Sequence, residues 1–254
     1  MIANTADDAE VYGVHVSPDP DLIAYWLADR IDERGYGIRG DSWEVMKALE
    51  AAGHRQTEAH AAVVEALEVD ARVLPMCDEP VATRVRARGR GLSFQEFMIV
   101  EGAQGPLEAV ELVGVDHARP TPEVLATLAE AELIVIGPSN PVVSIGPVLA
   151  VPGMREAVAG APAPVLAVSP LVGGRSLKGP TELFCAFAGI ETSVDGIARA
   201  YEGLLDGIVA DEGAERVPTL VTDTRMDTPE ARARLAAETL DFARSVAAGT
   251  VEPS

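Results

Sequence analysis

Four aspartates near the start of the sequence carry the side chain that binds magnesium. Asp7 and Asp8 are adjacent, and Asp19 and Asp21 follow after a short interval. Mg²⁺ is usually held by one or two carboxylates and leaves its other positions to water and phosphate oxygens, so two carboxylates from separate turns suit it. The alternative is that these aspartates cap helices and face solvent in a chain whose formal charge is −20. The pattern alone leaves both interpretations open.

A stiff, polar turn follows the apolar run at residues 133–136. Its sequence, Gly137-Pro-Ser-Asn-Pro141, places Ser139 and Asn140 between two prolines. At the carboxyl end of a parallel strand, such a turn can present hydroxyl, amide and backbone N–H groups to a nucleotide or a phosphate. An ordinary strand-to-helix connection, with Ser139 and Asn140 as caps, explains the same residues.

A glycine-rich loop with two cations follows the apolar run at residues 165–168. Gly173 and Gly174 are consecutive, and Arg175 and Lys178 are two of only 20 basic residues in the chain. Glycines let the backbone approach a ligand closely, and cations offset the field of an acidic protein, so the loop suits an anion. The alternative is that both cationic side chains point into solvent.

Several function classes have no support in the sequence. The four histidines and two cysteines show no zinc-binding spacing. The motif of serine hydrolases, G-x-S-x-G, and the P-loop motif, G-x-x-x-x-G-K-[S/T], are both absent from the sequence. A formal charge of −20 is the opposite of what binding to a nucleic-acid backbone requires, so we expect no nucleic-acid partner.

The spacing of apolar residues predicts the elements that position these loops. Short aliphatic runs at 133–136, 165–168 and 219–221 predict buried strands. Helices are predicted at residues 20–32, 41–52, 56–68, 122–130 and 154–158, and from Pro229 to about Val246 with Thr228 as the N-cap. This alternation indicates an α/β fold, a Rossmann-like parallel sheet with helices on both faces. Ligands of such sheets bind beyond the carboxyl ends of the strands, where the turns after residues 136, 168 and 221 lie.

The middle of the chain has a different pattern. Residues 72–75, 82–87, 94–100 and 109–113 read as strands without intervening helices. We therefore predict a single α/β domain over residues 1–254 with a small β-rich insertion at about 72–115. Because 48% of the residues are hydrophobic, the chain can bury the core that such a domain needs.

Nothing in the sequence indicates export or membrane insertion. The first residues lack the basic and apolar regions of a signal peptide, and no apolar run approaches the roughly 20 residues that cross a bilayer. Cys77 and Cys185 are far apart and belong to no paired-cysteine motif. We expect a cytoplasmic protein with no membrane partner.

Beyond these patterns, the chain resembles the 2-phospho-L-lactate transferase family of coenzyme F420 biosynthesis. The most specific segment is Pro138-Ser-Asn-Pro-Val-Val-Ser-Ile-Gly-Pro-Val-Leu-Ala-Val-Pro-Gly153. Similar segments occur in the family's order at Asn4-Thr-Ala-Asp-Asp8, Pro18-Asp-Pro-Asp21, Gly35-Tyr-Gly-Ile-Arg-Gly-Asp41, Leu74-Pro-Met76, Phe94-Gln-Glu-Phe97, Ala167-Val-Ser-Pro-Leu-Val-Gly-Gly174, Leu177-Lys-Gly-Pro180, Leu205-Asp-Gly-Ile208 and Val221-Thr-Asp-Thr224. The resemblance covers most of the chain.

The resemblance implies a magnesium-dependent phosphotransferase. In this family the terminal ribityl hydroxyl of the deazaflavin Fo attacks the phosphorus of a guanylyl diphosphate donor that carries lactate or enolpyruvate, and GMP leaves. The resemblance implies Asp8 and Asp19 as ligands of Mg²⁺, with Asp8 also near the acceptor hydroxyl. It implies that Arg39 contacts the deazaflavin or the incoming phosphate.

The same resemblance places the donor nucleotide in the later loops. It implies that Ser139 and Asn140 contact the guanosine half and that Gly173, Gly174 and Lys178 line the site. It further implies that the protein is a homodimer.

The sequence departs from the family pattern in three places. Ala6 stands in place of a glycine, and the family's first strand and Gly-Gly phosphate loop do not precede it. A Gly-Asp-Arg-Asp-Leu stretch is missing between Leu49 and Glu68, and Met98 and Val100 replace an aromatic residue and an arginine. These departures leave a second function open, that of an inactive or truncated homologue that binds guanine nucleotide or deazaflavin.

Overall fold

The computed structural model describes residues 1–11, 14–33, 38–39, 56–177 and 179–251. The chain forms two compact units. Unit 1 is Met1–Leu125 with Pro147–Met154, and unit 2 is Ala126–Gly146 with Arg155–Ser254. The helix predicted at 41–52 lies outside the described residues. Of the helices described, none is long and apolar enough to cross a membrane.

Unit 1 begins with short strands and two helices around the aspartate segment. These are β1 (Ile2–Ala3), β2 (Ala9–Val11), β3 (Val14–Val16), α1 (Pro18–Leu27), α2 (Gln56–Ala66) and β4 (Leu74–Pro75). β1 and β4 pair in parallel, so the segments that follow them, residues 4–8 and 76–79, leave the same edge. β2 and β3 form an antiparallel hairpin, and α2 packs on both α1 and β4. The hairpin returns the chain so that α1 begins beside the aspartates.

An antiparallel sheet occupies the middle of unit 1. Its strands are β5 (Ala82–Ala87), β6 (Arg90–Ser93) and β7 (Leu107–Val113), in the order β6-β5-β7. Along β5, Thr83, Val85 and Ala87 are buried and the two arginines between them are exposed, as expected for a sheet with one packed and one solvated face. The N–H of Thr83 donates to the carbonyl of Ala6 and so joins this sheet to the aspartate segment.

The second half of the chain is built on a parallel sheet. Its elements are α3 (Pro122–Ala129), β8 (Ile134–Ile136), α4 (Ile145–Ala150), α5 (Met154–Ala159), β9 (Val165–Val168), β10 (Leu171–Val172), β11 (Arg175–Ser176), α6 (Thr181–Ala188), α7 (Val194–Ala200), β12 (Gly207–Ala210), β13 (Thr219–Val221) and α8 (Pro229–Ala247). Strands β13, β12, β9 and β8 pair in that order, all in parallel. Their carboxyl ends therefore lie along one edge.

The centre of this sheet is buried because its strands are apolar or small throughout. Every residue of β9 and β12 is buried. Helix α8 covers the sheet with Leu235 and Phe242, which cluster with Leu166 and Val209. Gly207 permits this close approach, since a Cβ there would lie 2.8 Å from both Phe242 Cε1 and Leu166 Cδ2. The predicted α/β class, with a parallel sheet flanked by helices, is confirmed.

Most elements predicted for unit 2 are found where the sequence places them. The strands at 165–168 and 219–221 match. Helix α8 begins after Thr228, whose Oγ1 accepts the N–H of Ala231 at 3.2 Å. The patterns missed β12, the β10–β11 hairpin, α6 and α7. In unit 1 the helix predicted at 20–32 ends at Leu27, because Asp29 adopts a positive φ of 53° that a helix cannot continue through.

The strand predicted at 94–100 is wrong. Residues Glu96–Val100 form a π-helix. Ser93 N–H and Oγ–H both donate to Glu96 Oε2 at 2.8 Å, and Glu96 N–H donates back to Ser93 Oγ at 3.2 Å. This reciprocal S-x-x-E pair is a capping box, which starts a helical turn and outweighs the strand preference of the residues after it. The assignment of residues 1–254 to one domain with an insertion at about 72–115 stays a prediction.

Candidate functional site

The early aspartates come together at the carboxyl end of the β1–β4 pair. Asp7 and Asp8 lie in the segment after β1, and Asp19 lies in the first turn of α1. Asn4 Nδ2 donates to Asp7 Oδ1 at 3.5 Å and to Asp19 Oδ2 at 3.3 Å. Asn4 Oδ1 accepts the N–H of Ala6 at 2.9 Å, which fixes the orientation of the amide. One amide therefore holds carboxylates from two separate elements.

Asp8 is held by the residue that begins α1. Ser17 Oγ–H donates to Asp8 Oδ2 at 2.7 Å. Ser17 is the N-cap residue of α1, yet its side chain makes no capping hydrogen bond to the helix. The charge of Asp8 contributes to raising the pKa of Asp19, so these two residues belong to one electrostatic cluster. We call Asp7, Asp8 and Asp19 the carboxylate cluster.

Burial and mutual repulsion raise pKa values within the carboxylate cluster. Asp7 is only 7% exposed. Burial, followed by the charges of Asp19 and Asp8, raises the pKa of Asp7 to about 8. Burial also raises the pKa of Asp19, an effect that the Asn4 hydrogen bond opposes. Carboxylates that lie this close together repel one another, and either a bound cation or a bound proton relieves the repulsion.

The donor atoms of the carboxylate cluster fit a magnesium ion. Carboxylate oxygens are the ligands that Mg²⁺ prefers, and one or two are enough because water and substrate phosphate complete its coordination. In the part of the chain that the structure describes, no group of three or more His, Cys, Asp or Glu side chains, the carboxylate cluster included, is arranged so that all its members could hold one metal ion. Asp8 and Asp19 instead offer the partial set of ligands that magnesium uses alongside a phosphate.

Helix α1 begins beside the carboxylate cluster but offers few N–H donors. Pro18 and Pro20 have no N–H, and the N–H of Asp21 is donated to Ser17 O at 3.0 Å. A phosphate therefore finds little of the backbone donation that makes other helix N-termini bind anions directly. The helix dipole here favours the Asp19 carboxylate. A diphosphate at this end of α1 needs a cation to bind.

Buried polar contacts fix the elements that carry the carboxylate cluster. Asp78, in the segment after β4, accepts the N–H and the Oγ–H of Thr57 at 2.9 Å each, at the start of α2. On the same helix, His60 Nδ1 lies 3.6 Å from Asp21 Oδ1, and both side chains are buried. Helix α2 thus ties β4 to α1. Sequence reasoning missed these pairs because no spacing rule connects residues so far apart.

Arg39 lies where the chain returns beside residue 31. Ile31 and Ile38 form an antiparallel bridge. The N–H of Arg39 donates to Arg30 O at 2.6 Å, and its Nη2 donates to Ile31 O at 3.2 Å. Arg39 is exposed, so the rest of its guanidinium is accessible to a ligand. Its contact with the deazaflavin or the phosphate stays a prediction.

Asn140 organises the turn after β8 with its own side chain. Asn140 Oδ1 accepts the N–H groups of Val142 and Val143 at 2.8 and 3.2 Å. Neither Asn140 Nδ2 nor the Ser139 hydroxyl forms a hydrogen bond with any residue that the structure describes. Asn140 is therefore a cap through its oxygen, and its amide N–H groups have no partner among the described residues. The two interpretations of this turn are compatible.

Gly173 and Gly174 form the tip of the β10–β11 hairpin. The two strands are antiparallel, and the glycines between them have φ of 59° and 70°. A two-residue type I′ turn needs positive φ at both positions, so the hairpin itself requires these glycines. The N–H of Gly173 donates to Asp211 Oδ2. Lys178 lies outside the described residues.

Sequence reasoning missed two polar residues at the carboxyl edge of the parallel sheet. Asp211 follows β12, and Thr224 follows the neighbouring β13 with Ala210 aligned to Val221. Asp211 Oδ1 and Thr224 Oγ1 are buried and have no hydrogen-bond partner in the structure. Buried polar atoms without partners are rare and can mark a ligand site. The sequence does contain a signal for Asp211, because this aspartate directly follows the apolar run Gly207–Ala210.

The structure brings the predicted residues into two groups. Asp8 and Asp19 share the carboxylate cluster in unit 1. The turn after β8 and the hairpin after β9 both leave the carboxyl edge of the sheet in unit 2. A parallel sheet binds ligands at this edge, so both groups lie where the fold class predicts chemistry.

Known proteins are similar to nearly the whole chain. The family model described as 2-phospho-L-lactate transferase CofD matches residues 1–240. A phosphoenolpyruvate transferase of Kitasatospora aureofaciens is 36% identical over 93% of this chain and 88% of that protein. A phosphoenolpyruvate transferase of Streptomyces coelicolor is 35% identical over 97% of this chain and 90% of that protein. A 2-phospho-L-lactate transferase of Methanosarcina mazei is 31% identical over 88% of this chain and 86% of that protein. A crystal structure of a UPF0052-family protein of Bacillus halodurans has a TM-score of 0.54 at 18% identity, covering 94% of this chain and 76% of that one.

Proposed function

This chain belongs to the 2-phospho-L-lactate transferase CofD family, and from this premise we propose that it transfers a phospho-lactyl or phosphoenolpyruvyl group in coenzyme F420 biosynthesis. The donor is a guanylyl diphosphate that carries lactate or enolpyruvate, the acceptor is the deazaflavin Fo, and GMP leaves. Relatives with the name phosphoenolpyruvate transferase and one with the name 2-phospho-L-lactate transferase support both versions of the transferred group.

The observation that carries the proposal is the carboxylate cluster. Its three acidic side chains lie at the carboxyl end of parallel strands, and burial and repulsion raise the pKa values of Asp7 and Asp19. A structural role for one buried and two half-buried carboxylates would leave this repulsion unrelieved, whereas a bound cation relieves it. A diphosphate substrate brings the negative charges that such a cation binds on its other side.

Asp8 and Asp19 are the residues that we assign to Mg²⁺. Ser17 fixes Asp8 through one carboxylate oxygen, and Asn4 fixes Asp19 in the same way. When bound, the metal would neutralise charge on the diphosphate as the phosphorus–oxygen bond to GMP breaks. Asp8 would also orient the acceptor hydroxyl, whose oxygen forms the new bond to phosphorus. Arg39 would bind the deazaflavin or the phosphate that it receives.

The nucleotide half of the donor is assigned to the carboxyl edge of the sheet in unit 2. Asn140 keeps its amide N–H donors, and Ser139 keeps its hydroxyl, which suits the guanosine. Gly173 and Gly174 line this site through their backbone, and Lys178 would add a positive charge. Because Gly173 N–H already binds Asp211, we assign backbone donation to the phosphates to Gly174 rather than to Gly173.

A turnover assay tests the proposal. Purified protein is incubated with Fo, Mg²⁺ and each guanylyl diphosphate donor, and GMP and the modified deazaflavin are separated by chromatography. We expect product with at least one donor, no product with EDTA, and a loss on the order of a hundredfold or more for Asp8→Asn and Asp19→Asn. Glu65→Gln, at an exposed position of α2, is the matched control and should keep full activity.

The same assay separates the proposal from the silent-homologue alternative. Failure to release GMP from either donor at high enzyme concentration contradicts the transferase. Saturable binding of GDP or Fo by calorimetry, without turnover, would then identify a binding protein. A homodimer and a cytoplasmic location stay predictions, and light scattering behind a sizing column checks the first.

A further inference from the structure

The solvated face of the antiparallel sheet in unit 1 carries two arginines on its central strand. Arg84 and Arg86 occupy alternate positions of β5 and are exposed on the same face. Arg86 is aligned with Gly91 on β6 and with Ala109 on β7. Because both cross-strand neighbours are small, the register leaves space beside the Arg86 guanidinium.

This space is a cavity with charged walls. It has a volume of about 200 Å³, and its polar walls are Arg84, Arg86 and Glu111. Glu111 is the cross-strand neighbour of Arg84 on β7. The cavity therefore contains two positive charges and one negative charge on a chain whose formal charge is −20.

The charged side chains that line the cavity form few contacts within the protein. The side chains of Arg84, Arg86 and Glu111 form no hydrogen bond or ion pair with any residue that the structure describes. The charge of Arg84 does act on Glu96, where it adds to the Ser93 hydrogen bonds that lower the pKa of that carboxyl. The next two arginines of the same hairpin differ, because Arg88 Nε donates to Gly105 O at 3.0 Å and Arg90 Nη1 pairs with Glu101 Oε1 at 2.6 Å. Of the four arginines of this hairpin, the two whose side chains lack a hydrogen bond or ion pair to the described residues are therefore the two that line the cavity.

Two guanidiniums on one strand face suit a tetrahedral oxyanion. Same-face residues of a strand are roughly 7 Å apart, so two planar forks can approach one anion from both sides and donate to several of its oxygens. A carboxylate ligand would use only one of the forks. Without an anion, the two positive charges repel each other across the cavity.

Glu111 restricts which oxyanion fits. An ionised carboxylate can only accept hydrogen bonds, so it repels an anion that has no proton to donate. Inorganic phosphate keeps a P–OH group at neutral pH and can donate to Glu111, whereas sulfate is fully ionised and cannot. The combination of two donors and one obligate acceptor therefore selects a protonated phosphoryl group.

We propose that Arg84, Arg86 and Glu111 form a binding site for hydrogen phosphate on the solvated face of the β5–β6–β7 sheet. The arginines bind the ionised oxygens and Glu111 accepts the P–OH. This site uses no residue of the carboxylate cluster and needs no divalent cation. It is therefore independent of the transferase proposal.

Isothermal titration calorimetry of the full chain with inorganic phosphate and with sodium sulfate tests this site. EDTA is present throughout so that metal-dependent binding is silent, and circular dichroism confirms the fold of each variant. We expect saturable phosphate binding at least about tenfold tighter than sulfate binding. Arg84→Gln and Arg86→Gln should each weaken phosphate binding by about tenfold, which corresponds to about 1.4 kcal/mol. Glu111→Gln should bring the phosphate and sulfate affinities to within about threefold.

Arg88→Gln is the matched control, because Arg88 belongs to the same hairpin but already has a backbone partner. It should change the phosphate affinity by less than about twofold. Equal affinity for phosphate and sulfate in the wild type would overturn the role of Glu111. Phosphate binding that is absent from the wild type, or unchanged in both cavity arginine variants, would overturn the site itself. Neither result would bear on the turnover assay, because that assay tests substitutions at other residues and contains Mg²⁺.

Discussion

Asp19→Asn should stabilise the protein without magnesium and destabilise it, relative to the wild type, with magnesium. Asp7 Oδ1 and Asp19 Oδ2 lie 3.5 and 3.3 Å from the same Asn4 nitrogen, so they are no more than about 7 Å apart, where two unit charges repel by about 2 kcal/mol at an effective dielectric constant of roughly 20. The substitution removes one of these charges and keeps an oxygen that Asn4 can still bind. It also loses roughly 0.5 kcal/mol of helix-dipole stabilisation at the start of α1.

The effect of this substitution should grow with pH. In the metal-free protein, burial and the charges of Asp19 and Asp8 raise the pKa of Asp7 from 3.8 to about 8. Between these two values the folded chain holds a proton that the unfolded chain has released, so the free energy of unfolding falls as the pH rises through that window. At about pH 5 Asp7 is protonated and the variant should differ little from the wild type. At about pH 8.5 the variant should be more stable than the wild type by roughly 1–2 kcal/mol.

Thermal unfolding followed by far-ultraviolet circular dichroism measures this effect. In EDTA at about pH 8.5, the melting temperature of Asp19→Asn should exceed that of the wild type by roughly 2–6 °C. Magnesium at a hundred times its Kd should stabilise the wild type by about 2.7 kcal/mol and the variant by much less, so the order reverses. Glu65→Gln, at an exposed position of α2, should follow the wild type in every condition. Two results would refute the cluster as a cation site: a variant melting temperature below that of the wild type in EDTA, or a stabilisation of the variant by Mg²⁺ as large as that of the wild type.

Three further substitutions test the packing that holds the fold, and denaturant unfolding checks all of them. Thr228→Ala removes the N-cap of α8 and should cost about 1 kcal/mol; no loss would show that the cap is dispensable. Gly196→Ala should lower the free energy of unfolding by about 3 kcal/mol or more, because the added Cβ would lie 2.0 Å from Glu191 O. Gly213→Ala is the control: its Cβ would meet nothing within 4 Å, so the free energy of unfolding should hardly change. Phe242→Ala should cost about 3–5 kcal/mol through the cavity it leaves between α8 and the sheet, and a cost below about 1 kcal/mol would contradict that packing.

The parts of the fold that the sequence predicts are those whose cause is local. Residues Val165–Val168 are predictable because a strand buried on all sides is uniformly apolar. The strand Gly207–Ala210 is equally buried, but its glycine, which α8 requires for close approach, breaks the pattern. Strand Ile2–Ala3 is too short for any periodicity and is fixed only by its parallel partner. The strand preference of residues 94–100 was misleading, because the Ser93–Glu96 capping box starts a helical turn there.

The candidate site is predictable in its residue types but not in its contacts. The sequence shows four early aspartates that are suited either to magnesium or to capping, and the choice of Asp8 and Asp19 among them comes from the family resemblance. The bridge from Asn4 that joins Asp7 to Asp19 depends on the β2–β3 hairpin, which brings α1 back beside β1. The raised pKa of Asp7 depends on burial, which no sequence pattern reveals. The turn at Asn140 was consistent with capping and with ligand binding; the structure shows the capping, and the ligand contact stays a prediction.

An acidic chain that handles phosphoryl groups must offset its own field, and its features do so by different physical means. Under the proposed function, the carboxylate cluster repels anions until a cation binds, so its affinity for a diphosphate should depend on metal concentration. The turn with Asn140 offers neutral amide donors, whose strength depends little on salt. The pair Arg84 and Arg86 offers positive charge directly, which weakens as ionic strength rises, while Glu111 adds selectivity for a protonated anion. The three affinities therefore respond differently to metal concentration, ionic strength and pH. Titrations with Mg²⁺, salt and pH can then assign each binding event to its site without a structure of any complex.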